Sequence, residues 1–189
     1  MKKAELKEFL DEKVILYNNP KFIASDPIQI PHLFSKKEDI EIAGFLTAII
    51  SWGNRTMIIR NSHKMMELLE HSPHDFILNH QAKDLKSFKG FVHRTFNELD
   101  FQQFIKSLQH IYMQYGGLEK ALSITDHSKT YQSSIHHFKS IFFEVAHLER
   151  TQKHISDPLK NSAAKRINMF LRWMVRNDQA GVDFGIWKT

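Results

Sequence analysis

The chain has 189 residues, a length that one folded domain spans, and 42% of them are hydrophobic, with 15 Phe to fill a core. It contains no cysteine, which excludes a disulfide framework, a thiolate metal site and a cysteine nucleophile. The net charge of +5 is concentrated: from Arg150 to Arg176 seven Lys and Arg accompany one acid, Asp157, while the rest of the chain is close to neutral. Such a cluster suits a polyanionic partner, nucleic acid first, although solvated basic faces are common.

The start, "MKKAELKEFLDEK", turns acidic and periodic where a secretory leader would become apolar. The longest apolar run, "FLTAII", is far too short to span a bilayer. The expectation is a soluble cytoplasmic protein that does not use a membrane.

In chain order, Leu6, Phe9, Leu10 and Val14 predict an amphipathic helix that "YNNPKF" ends. "SDPIQIPHLFS", with two prolines, predicts an extended connector. "KEDIEIAGFLTAII" has few polar positions and predicts a central helix. "SWGN" breaks it, and Asn54 is placed to cap the helix "RTMIIRNSHKMMELLEH". "SPHDFILNH" predicts a short helix, and "FKGFVHRTFNELD" is irregular. "FQQFIKSLQHIYMQY" resumes the helical period until "GG" stops it. "KTYQSSIHHFKSIFFEVAHLE" and "SAAKRINMFLRWMVR" predict the last long helices. No alternating strand pattern and no phosphate-binding glycine loop occurs. The fold class is therefore all-α, a single domain over 1–189 with possible lobes at about 36–124 and at the two termini.

Twelve histidines invite a metal site. They are scattered without ligand spacing: His136 and His137 are adjacent and diverge, and His71 and His74 flank a proline. No metal and no cofactor is expected.

The helix "SAAKRINMFLRWMVR" divides at 100° per residue into two faces. Ala163, Ala164, Ile167, Phe170, Leu171, Met174 and Val175 form a core face. Lys165, Arg172 and Arg176 form a cationic strip bordered by Arg166, Met169 and Trp173. Cations beside a tryptophan suit phosphates and a base or sugar; a wet basic face with Trp173 covered is the plainer reading. With Ser162 as N-cap, Lys165 takes the third helical position, where Glu or Gln is preferred. The helix start and Arg166 both disfavour an ammonium there, which favours the nucleophilic amine of Schiff-base chemistry. "SAAK" also fits Ser-x-x-Lys, but the partner motifs of that enzyme class are missing. Asn54 and Arg55 in "SWGNRTMIIR", and His93 and Arg94 in "GFVHRTFN", are further candidates to contact phosphate or an unstacked base. Each also reads as an ordinary capped turn or anchored loop.

"DPIQIPHLF", "ISWGNRTMIIR", "HRTFN" and "SAAKRINMFLRWMVRNDQAGVDFGIWK" resemble the motifs of an uncharacterised bacterial protein family over nearly the whole chain. That family in turn resembles a remote branch of the helix-hairpin-helix DNA glycosylase superfamily. The second resemblance implies a multi-helix domain with a cleft between two lobes and a partner in duplex DNA carrying a damaged base. It implies that Lys165 attacks the sugar, that a following aspartate assists, and that Asn54 and Arg55 contact DNA. "HISDPLKNSAAK" lacks the glycines of the hairpin motif. Family members continue past "FGIWK" into a Pro-Leu-Asp-x-His segment that would supply the aspartate, so a C-terminal segment is expected to be missing. Asp183, 18 residues after Lys165, is the candidate within this sequence. A non-catalytic nucleic-acid-binding module and a helical protein with an acidic protein partner remain the alternatives.

Overall fold

A computed structural model describes residues 2–123 and 130–188. The fold is helical as predicted, with one two-stranded hairpin as the only β-structure among the described residues. The first helix, α1 (Lys3–Tyr17), forms where the period placed it, but none of its residues is buried and Leu6, Phe9, Leu10 and Val14 stay exposed. The Asn19 side chain caps α2 (Pro20–Ile23), which follows at once.

The segment expected to be an extended connector is instead coiled. Pro27 and Pro31 each open a 3-10 turn, Pro27–Gln29 and Pro31–Leu33, because a proline's fixed φ and missing N–H suit a first helical position. Asp26 caps the first turn by accepting from Ile28 N at 3.1 Å. The coiling drives Ile28 and Ile30 into the core.

The central helix is α3 (Lys37–Ile50), buried at every position from Ile40 to Ile50. A helix apolar nearly all round must be enclosed on all sides. Around it pack the two 3-10 turns, α4 (Arg55–Leu68), α5 (Pro73–Asn79) and the last helix, α9 (Lys165–Val175). Gly44 marks the α3–α9 crossing, where a Cβ would stand 3.2 Å from Met174 Cε and 3.4 Å from the Phe170 ring. Asn54 caps α4 as expected, accepting from Met57 N at 3.1 Å.

The irregular stretch contains the unforeseen hairpin, β1 (Val92–His93) against β2 (Phe96–Asn97), with Val92 opposite Asn97 and His93 opposite Phe96. Two-residue strands are too short to show alternation in sequence. A capping box between Asn97 and Asp100 then starts α6 (Glu98–His110). It continues as a π-type turn, Ile111–Tyr115, and stops at Gly116 and Gly117 as predicted. After α7 (Leu118–Leu122), α8 (Tyr131–Phe142) ends seven residues before the predicted Glu149, where Glu144 turns to bond His110 and Tyr115. Lys129, the predicted start of that helix, and residue 124, the predicted lobe boundary, lie outside the described residues.

One buried cluster joins both predicted lobes. Phe45 of α3 meets Phe104, Phe138, Phe142 and Phe170 with ring centroids 5.5–6.2 Å apart. Each fully buried ring contributes about 3 kcal/mol relative to exposure. The last residues run back along α9: Phe184 N donates to Trp173 O, and Trp187 N to Met174 O. Trp187 Nε1 reaches the buried Glu41 of α3 at 2.8 Å. No helix among the described residues is long and apolar enough to cross a membrane.

Candidate nucleic-acid interface

The helix that carries most of the candidates starts later than its sequence implies. Asn161 and Ala164 hold left-handed φ values of 60° and 46°, so helical dihedrals begin only at Lys165. Ser162 accepts from Ala164 N instead of capping the helix. Lys165 is therefore the first helical residue rather than the third, and the capping-box conflict predicted for it does not arise. It is exposed, at the positive end of the helix dipole. Ala163, expected on the core face, precedes the helix and is exposed.

The strip and the core face otherwise separate as drawn, with Ile167, Phe170, Leu171 and Met174 buried and Lys165 and Arg172 exposed. Trp173 does not border the strip: at 4% exposure it lies in the core, and it presents no surface to a base. Arg172 and Arg176 share the Asp183 carboxylate at 3.1 and 3.4 Å, and Arg176 also pairs with Asp178 at 2.6 Å. The aspartate assigned by resemblance to assist Lys165 is thus the counter-ion of two arginines. Those arginines lie seven and eleven residues beyond Lys165, about 10 and 16 Å along the helix axis.

Three segments far apart in sequence meet around Trp52, at the end of α3. Arg166 lays its guanidinium over the indole, 4.8 Å from the centroid, and donates to the carbonyls of Ile49 and His154. His93 of the hairpin packs edge-on to the same ring at 5.0 Å and its Nε2 lies 3.3 Å from Trp52 O. Arg94, at the hairpin tip, lies against Gly53: a Cβ there would stand 2.7 Å from the Arg94 Nη1. Gly53 itself has φ +101°, so the turn favours glycine, whereas the Arg94 side chain could shift to admit a Cβ. Asn54 and Arg55 follow directly and are exposed. Arg55 and Arg172 both act on the carboxyl of Asp26, which burial pushes up against the pull of the Ile28 N–H and these two positive charges.

Beside the ion-paired Arg172 and Arg176, the remaining cationic candidates divide by exposure. Arg166 and His93 are internal supports: burial lowers the Arg166 pKa, and His93, 3% exposed, is held largely neutral by desolvation. Arg55, Arg94 and Lys165 are exposed and make no ion pair among the described residues. Arg94 also holds a φ of 55°, uncommon for a residue with a Cβ.

Beneath the hairpin lies a buried polar cluster that the sequence did not signal. Asp100, fully buried, accepts from Thr151 Oγ1 at 2.7 Å, Arg150 Nη1 at 2.8 Å and Asn97 N at 3.1 Å. Burial pushes its carboxyl up, but these donors and the Arg150 charge outweigh that and leave its pKa lowered. Arg150 also donates to Thr95 O, pinning the hairpin tip. His154, 2% exposed, lies between Trp52, Phe96 and Phe104. Its Nε2 is 3.4 Å from Asp100 without hydrogen-bond geometry, and burial depresses its pKa to about 4. Trp52 stood in a motif singled out for its neighbours. Asp100 and Arg150, 50 residues apart, had no visible link. No group of three side chains able to hold a metal occurs among the described residues.

Residues 26–189 match the profile of a family described as a protein of unknown function, DUF2400. The chain belongs to that family. The DUF2400 match starts at Asp26, the cap of the first 3-10 turn, so it includes every candidate residue and leaves out α1 and α2. No curated protein and no solved structure matches the chain.

Proposed function

We propose that the surface gathered around Trp52 binds nucleic acid, duplex DNA in the first instance. One observation carries this reading: Trp52 ties three separate segments together, and the residues beside its contacts, Arg94 next to His93 and Lys165 next to Arg166, are exposed without ion pairs, as is Arg55. Unpaired exposed cations are the groups that displace counter-ions from phosphates. Arg172 and Arg176, whose charge Asp183 and Asp178 already balance, contribute less. The test is fluorescence anisotropy on a labelled duplex across a salt series. Arg55→Ala and Arg94→Ala each reduce the slope of log affinity against log salt by about 0.9, and Arg172→Ala by less. Absence of salt-dependent binding, or equal slopes in all variants, overturns the reading.

A second reading, glycosylase or lyase chemistry, rests on the exposed position of Lys165 at the first turn of α9. Its amine would add to the aldehyde carbon of an abasic sugar, the carbonyl oxygen would leave as water, and an imine would form. Borohydride, delivering hydride to that carbon, would lock the adduct as a secondary amine. The assisting role that the resemblance gives Asp183 would have to compete with Arg172 and Arg176, which engage its Oδ2. A trapped adduct lost in Lys165→Gln supports this chemistry; no adduct, or one that survives the substitution, leaves a binding module without catalysis.

A further inference from the structure

Between α4 and the loop that leads into the hairpin is a cleft of about 200 Å³, lined by Lys64, Lys89, Ser87 and Asn61 over an apolar floor of Leu68 and Phe91. It adjoins the surface around Trp52 and is held to it, since Asn61 Nδ2 bonds His93 Nδ1 at 2.9 Å. No carboxylate lines it. Two nearby acids are already engaged: Glu98 takes the Gly90 N–H, and Glu67 pairs with Lys64 at 3.1 Å. The latter pair is more than half exposed on both sides, so it holds Lys64 weakly.

We infer that this cleft is a phosphate subsite, with Lys64 and Lys89 as its two cationic arms and a backbone phosphodiester of nucleic acid as its ligand. The volume is several times the ~30 Å³ that a water takes in the liquid, which leaves room for a phosphate group. Ser87, also in the lining, already donates its hydroxyl to Asp84 O at 2.6 Å, so the two lysines supply the attraction for the anion. Lys64 lies nine residues beyond Arg55 on α4, about 13 Å along the axis. Nine residues at ~100° each is about two and a half turns, so Lys64 faces away from Arg55 and the cleft would take a phosphate outside the reach of Arg55. The inference rests on the nucleic-acid reading above and extends its footprint away from Trp52.

The test is the same salt series on Lys64→Ala, Lys89→Ala, the double variant and Glu67→Gln, all exposed positions, with melting curves to confirm folding. Each lysine removed lowers the salt slope by about 0.9, and the double variant by about twice that. Glu67→Gln, which frees Lys64, strengthens binding, a change that a merely structural role for the ion pair does not produce. If Arg55→Ala and Arg94→Ala lower the slope while the lysine variants match the wild type, the subsite is wrong and the interface stands. If the wild type binds no duplex, both fail. Thermal stabilisation by inorganic phosphate that depends on Lys64 and Lys89, with unchanged slopes on DNA, makes this a free-phosphate site and overturns the assignment to nucleic acid.

Discussion

At the residue scale, two side chains sit in states that their chemistry disfavours. Arg94 keeps a left-handed backbone at the hairpin tip, where a residue with a Cβ is strained by about 1 kcal/mol. Such an outlier beside a cluster of unpaired cations fits a position kept for its side chain. Arg94→Gly relieves the strain against glycine's larger loss of freedom, so stability rises slightly, by about 0.5 kcal/mol, while DNA affinity falls. Urea midpoints and anisotropy on one protein sample check the pair of signs; loss of both properties contradicts it. His154 is buried and neutral, with a pKa depressed from the usual histidine value to about 4. Below pH 6.5 the unfolded chain takes a proton that the folded one refuses until about pH 4. Its contribution is complete above pH 6.5 and drains away as pH falls towards 4, about 3 kcal/mol in all. Glu41 works the other way, because burial raises its carboxyl pKa and the folded form takes up a proton first as pH falls. Comparing His154→Asn with wild type at each pH cancels Glu41. The variant shows a flatter decline between pH 6.5 and 4 in urea denaturation, and parallel curves contradict the assignment.

At the element scale, helices were legible and their contacts were not. The period placed α3, α4, α6 and α9 because each has a face that must be buried, and Asn54 and the double glycine marked their ends by known cap chemistry. The hairpin escaped because two-residue strands carry no period, and the proline connector because its turns are fixed by Asp26 and by the burial of Ile28 and Ile30. α1 shows the limit most clearly: its apolar stripe reads as a core helix, yet nothing in the described chain covers it. Deleting residues 1–16 therefore changes stability by less than about 1 kcal/mol, a melting shift of a few degrees at most. A larger drop would mean that α1 docks on the body. Within α9, the core and cationic faces were readable from spacing, whereas the helix start depended on two left-handed residues that no cap residue announces.

At the scale of the whole molecule, the chain's end fastens on its centre. Glu41 in α3 takes Tyr112 Oη–H on one oxygen and Trp187 Nε1–H on the other, joining residues 146 apart. Trp187 also packs edge-on against Phe170 at 5.3 Å. Trp187→Phe keeps the packing but strips a donor from a buried carboxylate, for a loss of about 1–3 kcal/mol. Trp187→Ala adds a cavity and loses about 3–5 kcal/mol. Equal losses for the two variants in urea denaturation would show that the hydrogen bond adds nothing to the packing.

The sequence by itself determined that the chain is helical, which faces are apolar and that positive charge collects between Arg150 and Arg176, since period and charge are local properties. Residues 26–189 also match the DUF2400 family. Only the tertiary structure decided which cations remain available. It neutralised Arg172 and Arg176 with Asp183 and Asp178, laid the half-buried Arg166 on Trp52, and left Arg55, Arg94 and Lys165 exposed without ion pairs. Pairing depends on where distant segments cross, and a one-dimensional pattern does not specify those crossings.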